Sequence, residues 1–242
     1  MIGDFRLALG FLTRVPVSLV GPVAPDAMAR SMRLFPLIGA LIGAMTGAIY
    51  LLAARLLPPL PAALLAIAFG MLLTGALHED GLADCADGFG GGRDKDGKLA
   101  IMRDSRVGAY GALALILSVS LRASALISLN NPAGALIAAH CLSRVCLPGL
   151  MLALPPASAT GLAASAGRPS PAGVAVGLLV AALICAPLLR LHLAAVAAAA
   201  ALASMAMALL ARRQIGGYSG DVLGATEQVV EIAVLLVILA LP

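Results

Sequence analysis

The chain has 242 residues, 61% hydrophobic and only 12% charged, with a net charge of +4 and a mean hydropathy of +1.03. Soluble domains carry about 25% charged residues, so a water-facing globule is excluded for want of polar side chains to cover it. The long Ala, Leu, Val and Gly runs lack the alternation of a barrel strand, which leaves an all-α, polytopic transmembrane helical bundle, read as one integral-membrane domain over residues 1–242.

Residues 5–19 come first. Asp4 and Arg14 bracket a short apolar run with no small-residue cleavage site after it, so the segment predicts a retained helix lying at the membrane interface. At roughly 20 apolar residues per crossing, the runs 34–57, 59–77, 107–129, 133–153, 172–190, 192–211 and 225–241 predict about seven spans. Pro58, Pro59 and Pro61 separate the first two. Asn130, Asn131 and Pro132 make a second tight turn. The loop 154–171 joins the fourth and fifth spans. Only Arg190 and His192 divide the fifth from the sixth, so six spans is the alternative count. Gly39, Gly43 and Gly47 share one helical face, a surface for close packing within the chain or for a homo-oligomer. Cys85, Cys141, Cys146 and Cys185 have no metal or redox spacing and read as small hydrophobes.

The basic residues mark a membrane orientation rather than a nucleic-acid surface. With the N-terminus inside, 12 Lys and Arg fall in segments 1–33, 78–106, 154–171 and 212–224, against only Arg55 and Arg190 on the other side. That bias puts the N-terminus and both charged loops in the cytoplasm.

Acidic residues cluster as sharply. Seven of the 12 carboxylates, Glu79, Asp80, Asp84, Asp87, Asp94, Asp96 and Asp104, lie between positions 79 and 104. Asp80, Asp84 and Asp87 are spaced i, i+4, i+7, which puts three carboxylates on one helical face. Their repulsion reverses sign when a hard divalent cation, Mg²⁺ or Mn²⁺, is bound, and Mg²⁺ commonly joins one or two carboxylates to substrate phosphates. His78 precedes them as a proton acceptor, a phosphate donor or a plain interfacial histidine. The glycine run at 88 and 90–92 allows backbone amides near an anion, although no Walker lysine follows. Arg103, Asp104, Ser105 and Arg106 open the third span as an anion clamp beside a metal-binding aspartate. A second glycine-rich loop, Gly216 to Asp221, faces the same side.

These motifs resemble the cobalamin synthase family, the adenosylcobinamide-GDP ribazoletransferases. The resemblance rests on Phe11–Pro16, Phe35–Gly39, Gly75–Asp84, Ala86–Gly88, Met102–Gly108 and Gly216–Ala225, in order over nearly the whole chain. It departs at Glu79, where the family often has a non-acidic residue, and at Cys85, where Thr is commoner. The family implies an Mg²⁺-dependent transfer of adenosylcobinamide phosphate from its GDP ester to α-ribazole or α-ribazole 5′-phosphate, with GMP leaving. Combined with the carboxylate pattern, it assigns metal binding to Asp80, Asp84, Asp87 and Asp104, with Asp84 central to the chemistry. Arg103, Arg106, Ser105 and Arg14 would hold phosphate, Asp221 would complete the metal shell or bind a ribose, and His78 or a spare carboxylate would accept the hydroxyl proton. A CDP-alcohol-type phosphotransferase is the nearest rival, but Asp80-Gly81-Leu82-Ala83-Asp84 lacks its arginine. A cation transporter would place acids deep in the spans, where only Glu227 and Glu231, near the start of the last one, qualify.

Overall fold

A computed structural model describes residues 2–18, 24–158 and 165–242, so residue 19 and the stretch 159–164 of the expected 154–171 loop lie outside the described residues. The described residues form helices, with one isolated backbone bridge between Pro156 and Tyr218. The first helix, α1 (Ile2–Leu12), is shorter than the expected 5–19. It ends where the Thr13 hydroxyl donates to the Leu9 carbonyl at 2.7 Å and accepts from the Val15 amide at 3.2 Å, just ahead of Pro16. Asp4 ties α1 to Arg33 at 2.7 Å.

The short α2 (Ala27–Ser31) passes through a tight turn into α3 (Phe35–Ala53). Next come α4 (Pro59–Thr74) and α5 (Leu77–Gly91), which meet at 92°. The bend is made by two consecutive left-handed residues, Gly75 at φ 68° and Ala76 at φ 56°. The expected 59–77 span therefore stops at Thr74, and α5 runs off its axis instead of continuing it. After α6 (Lys95–Met102) come five long helices: α7 (Ala109–Ser128), α8 (Pro132–Ala153), α9 (Pro171–Leu189), α10 (Leu193–Ile215) and α11 (Gly220–Ala240). The last begins five residues ahead of the expected 225–241 because Ser219 caps it, accepting from the Val222 amide at 3.2 Å.

Among the described residues, five stretches are long and apolar enough to cross a membrane, or six when α4 and α5 count as one bent span. One of the five, Pro171–Ile215, has 45 residues, about 67 Å of helix for a core of about 30 Å. It folds back on itself at Arg190, whose φ is 49°. Along α8, α9 packs antiparallel, with Gly177 near Val145 and Cys185 near Cys141. In the opposite sense, α10 sets the Ala200 carbonyl 3.8 Å from the Cys146 thiol and Gly216–Gly217 beside Pro155. Split there, the apolar segments are α3, α4, α7, α8, α9, α10 and α11, and they fit a multi-pass membrane protein.

The most enclosed helix is α8. Its chief neighbour is α3, and the glycine face explains the closeness: a Cβ on Gly39 or Gly43 would collide with the α8 backbone at His140 and Leu136–Ile137. That face is covered within the chain.

Candidate active site at the α5 to α11 crossing

The helical register of the acidic stretch is as its spacing predicts, and the tertiary contacts sort its carboxylates. A close crossing of α5 and α11 organises them. At Gly81 an added Cβ would stand 2.8 Å from the Asp221 carbonyl and 3.1 Å from the Gly224 Cα, and one on Gly224 would stand 3.2 Å from the Gly81 Cα. Only two glycines permit that approach, and it carries Asp221, in the first turn of α11, up to Asp80 and Asp84. The consequence is electrostatic. Burial, then the charges of Asp80, Asp221 and Asp87, push the Asp84 carboxyl up to about 6. Arg103 at the end of α6 acts electrostatically on Asp221 from the other side.

Asp87 shares the face of Asp80 and Asp84 but has a further task. Its two oxygens accept from the amides of Gly108 (2.7 Å) and Gly111 (2.9 Å), closing the N-terminus of α7. Glycine is required at both donors, because a Cβ on either would run into this carboxylate. Asp104 is not brought to the acidic face by any recorded contact. The Arg106 guanidinium grips both its oxygens, at 2.6–3.1 Å, and holds its carboxyl below the usual range. Ser105 is exposed in the same turn. Arg14 is exposed too. Its amide donates to the Leu73 carbonyl at 2.7 Å and its side chain lies against Gly75, so it braces the α4–α5 bend rather than the acidic face. The glycine run is not an anion loop: Gly88 and Gly90 sit in or on α5 where Met102 and Tyr110 press against it.

His78 faces two ways. It borders a cavity of about 230 Å³ together with Asp80 and Asp221. Its Nδ1, however, points into the protein, 3.5 Å from Arg144 and 3.9 Å from Glu227. There it meets a buried ionic network that reading along the chain underrated. Arg122 of α7 contacts Glu79 at 3.3 Å and Glu231 at 3.4 Å. Arg144 of α8 pairs with Glu227, accepted also by the Ser143 hydroxyl at 3.0 Å. Gln228 donates to Glu79 at 3.2 Å and to Glu227 at 2.9 Å. All these groups are buried. Glu227 and Glu231 are therefore interior residues, not edge ones, and Glu79, a family departure, is a paired member of the core. The missed signal was in the composition: each isolated charge in an apolar helix, Arg122 and Arg144 included, requires an interior partner.

Among the described residues, one set of three metal-type ligands converges: His140, Glu227 and Glu231. Arg144 already fills that space. Its guanidinium bonds Glu227, donates to His140 Nδ1 at 2.6 Å and stands 3.6 Å from Glu231. With its Nδ1 so used as an acceptor, His140 makes no hydrogen bond to Glu231 despite a 3.2 Å separation.

The chain as a whole matches the family model described as cobalamin-5-phosphate synthase over residues 4–239. It belongs to that family. Relatives named adenosylcobinamide-GDP ribazoletransferase include one from Bradyrhizobium diazoefficiens, 49% identical over 242 residues and covering 98% of this chain and 93% of the relative. Another, from a Sinorhizobium species, is 46% identical, covering 97% and 96%. One from Azorhizobium caulinodans is 44% identical, covering 99% and 96%. No solved structure matches the chain.

Proposed function

We propose that this chain is an Mg²⁺-dependent adenosylcobinamide-GDP ribazoletransferase of the bacterial inner membrane, with its N-terminus and acidic face in the cytoplasm. It transfers adenosylcobinamide phosphate to α-ribazole or α-ribazole 5′-phosphate, giving adenosylcobalamin or its 5′-phosphate and GMP. The observation that carries this reading is the convergence of Asp80, Asp84 and Asp221 at the α5–α11 crossing, with Asp80 and Asp221 on the wall of a cavity, in a chain of this family. The names of the relatives support the substrates.

The donor set fits the metal. Asp84 is a partly buried carboxylate whose pKa is raised by burial first and then by three neighbouring carboxylates, and hard oxygen donors are what Mg²⁺ takes. Asp80 and Asp84 would hold the ion with help from Asp221. Asp87 holds α7 in place, so its share in the metal shell is through oxygens already bonded to amides, and Asp104 orients Arg106. When bound, the ion neutralises charge on the phosphates being exchanged. Arg103, beside Asp221, and Arg106, fixed by Asp104, offer guanidinium forks to the same phosphates, with Ser105 exposed between them. Because Nδ1 of His78 faces Glu227 and Arg144, Nε2 is the nitrogen left for an acceptor hydroxyl. The ribose oxygen attacks phosphorus, its proton passes to Nε2, and the bond to GMP breaks.

Nothing favours the transporter reading, since the interior acids are partnered by Arg122 and Arg144. The test is GMP release from adenosylcobinamide-GDP and α-ribazole by membranes carrying the chain. Release should require Mg²⁺ and fall on the order of 10²–10³-fold in Asp84→Asn with membrane insertion intact. Full turnover in that variant would sink the metal assignment.

A further inference from the structure

We propose that the cavity next to the acidic face is the subsite for the ring system of the acceptor: an apolar bicyclic heterocycle carried on a ribose. The proposal rests on the transferase reading above and adds which co-substrate lies here and by which end. The cavity measures about 230 Å³. Pockets for drug-sized ligands run to roughly 300–1,000 Å³, so this one is too small to enclose a corrinoid macrocycle with its nucleotide and is of the size to take a flat bicycle.

The lining is of two kinds. Phe11 of α1, Phe35 of α3, and Leu147 and Met151 of α8 supply an apolar side, and His78 and Asp80 of α5 with Asp221 of α11 bring the polar groups. The two phenylalanine rings are stacked, 5.8 Å apart and 12° from parallel, which joins α1 to α3 and gives the apolar side a rigid aromatic wall. Leu147 and Met151, one turn apart on α8, are buried at 4% and 1% exposure, so the wall they form is fixed by core packing.

This polarity discriminates between the bases in the reaction. Guanine carries a carbonyl, an amine and ring N–H groups on its edge. Against phenylalanine, leucine and methionine they would lose their hydrogen bonds to water and find none in return. The dimethylbenzimidazole of α-ribazole carries methyl groups on the corresponding edge and gains from the same burial. With the base on the apolar side, the ribose lies toward Asp80, Asp221 and His78, where its hydroxyl is activated. The guanosine of the leaving nucleotide must then lie elsewhere, on the Arg103 and Arg106 side.

The test is binding of labelled α-ribazole to the full chain in lipid nanodiscs, read beside GMP release. Met151→Phe fills the apolar side and should weaken α-ribazole at least tenfold, while weakening the smaller benzimidazole riboside less than threefold. Leu147→Ala enlarges it and should raise affinity for a wider, naphthimidazole-based riboside relative to α-ribazole by a similar factor. The KM for adenosylcobinamide-GDP should stay within twofold in both. If Met151→Phe does not fold, Leu147→Ala decides alone. The proposal is overturned if the wild-type chain binds no α-ribazole, or if the order of preference among the three bases is unchanged in the folded variants. Binding with the predicted shifts but no GMP release would leave the cavity standing and remove the transferase reading.

Discussion

Helix α5 contributes to two clusters of charge that obey opposite rules. One turn sends His78 and Glu79 inward, where every carboxylate has a cationic neighbour: Glu79 and Glu231 on Arg122, Glu227 on Arg144. On the other face, Asp80 borders the cavity with Asp221, and Asp84 beside it meets further acid from Asp80, Asp221 and Asp87. The inner cluster is charge-paired and structural, although Glu79 Oε2, Arg122 Nε, Arg144 Nε and Glu231 Oε2 have no hydrogen-bond partner. Its desolvation is offset by pairing, and removing one partner exposes that cost. The outer cluster is frustrated, as a site awaiting a cation is. Glu79 and Asp80, adjacent in sequence, thus separate scaffold from chemistry, while His78 borders both, its Nδ1 in the inner network and its ring on the cavity.

The largest effect should come from breaking the inner cluster. Arg144→Met strands Glu227 in the core and should cost about 3–5 kcal/mol, read as a fall in melting temperature in detergent. Adding Glu227→Gln should recover most of it, and no recovery would mean that Arg144 acts by packing alone. Next comes the crossing that joins the clusters. Gly224→Ala should cost about 1–3 kcal/mol through overpacking and lower Mg²⁺-dependent turnover at least tenfold, because α5 and α11 can no longer bring Asp221 to Asp84. Unchanged turnover would detach Asp221 from the site.

The outer cluster should respond to pH with the opposite sign to a salt bridge. The Asp84 pKa is raised from 3.8 to about 6, so ionisation is disfavoured in the folded chain. In chelator, melting temperature should therefore fall modestly as pH rises through that window and level off above it. Asp84 is partly exposed and solvent screening keeps the effect small. Saturating Mg²⁺ should flatten the slope, and Asp84→Asn should reduce it to the part that Asp221, also raised by burial, contributes, while raising stability in chelator. A slope of the other sign would mean that the carboxylates are paired. Smallest is the bend itself: Ala76→Gly should stabilise by up to about 1 kcal/mol, since the left-handed φ of 56° strains a residue with a Cβ.

Much of this was legible in the chain. Asp80, Asp84 and Asp87 are helical because their spacing and apolar neighbours allow little else, and the span order follows from hydropathy runs. The structure altered partners rather than elements. Asp87 caps α7 and Asp104 is bound by Arg106, because a backbone amide or guanidinium within reach satisfies a carboxylate before a distant one can share a metal with it. The glycines of 88–92 serve helix packing for the same local reason.

Composition and periodicity by themselves determined an apolar helical bundle, a concentrated acidic stretch and its helical register, since these depend on near neighbours and on the solvent a helix face must meet. Tertiary structure alone decided that α4 and α5 part at 92°, that Gly81 meets Gly224, and that Glu79 and Asp80 enter different clusters. The last two outcomes depend on contacts between segments more than a hundred residues apart, Glu79 with Gln228 for one, and spacing along a chain carries no information about which distant helix will lie against it.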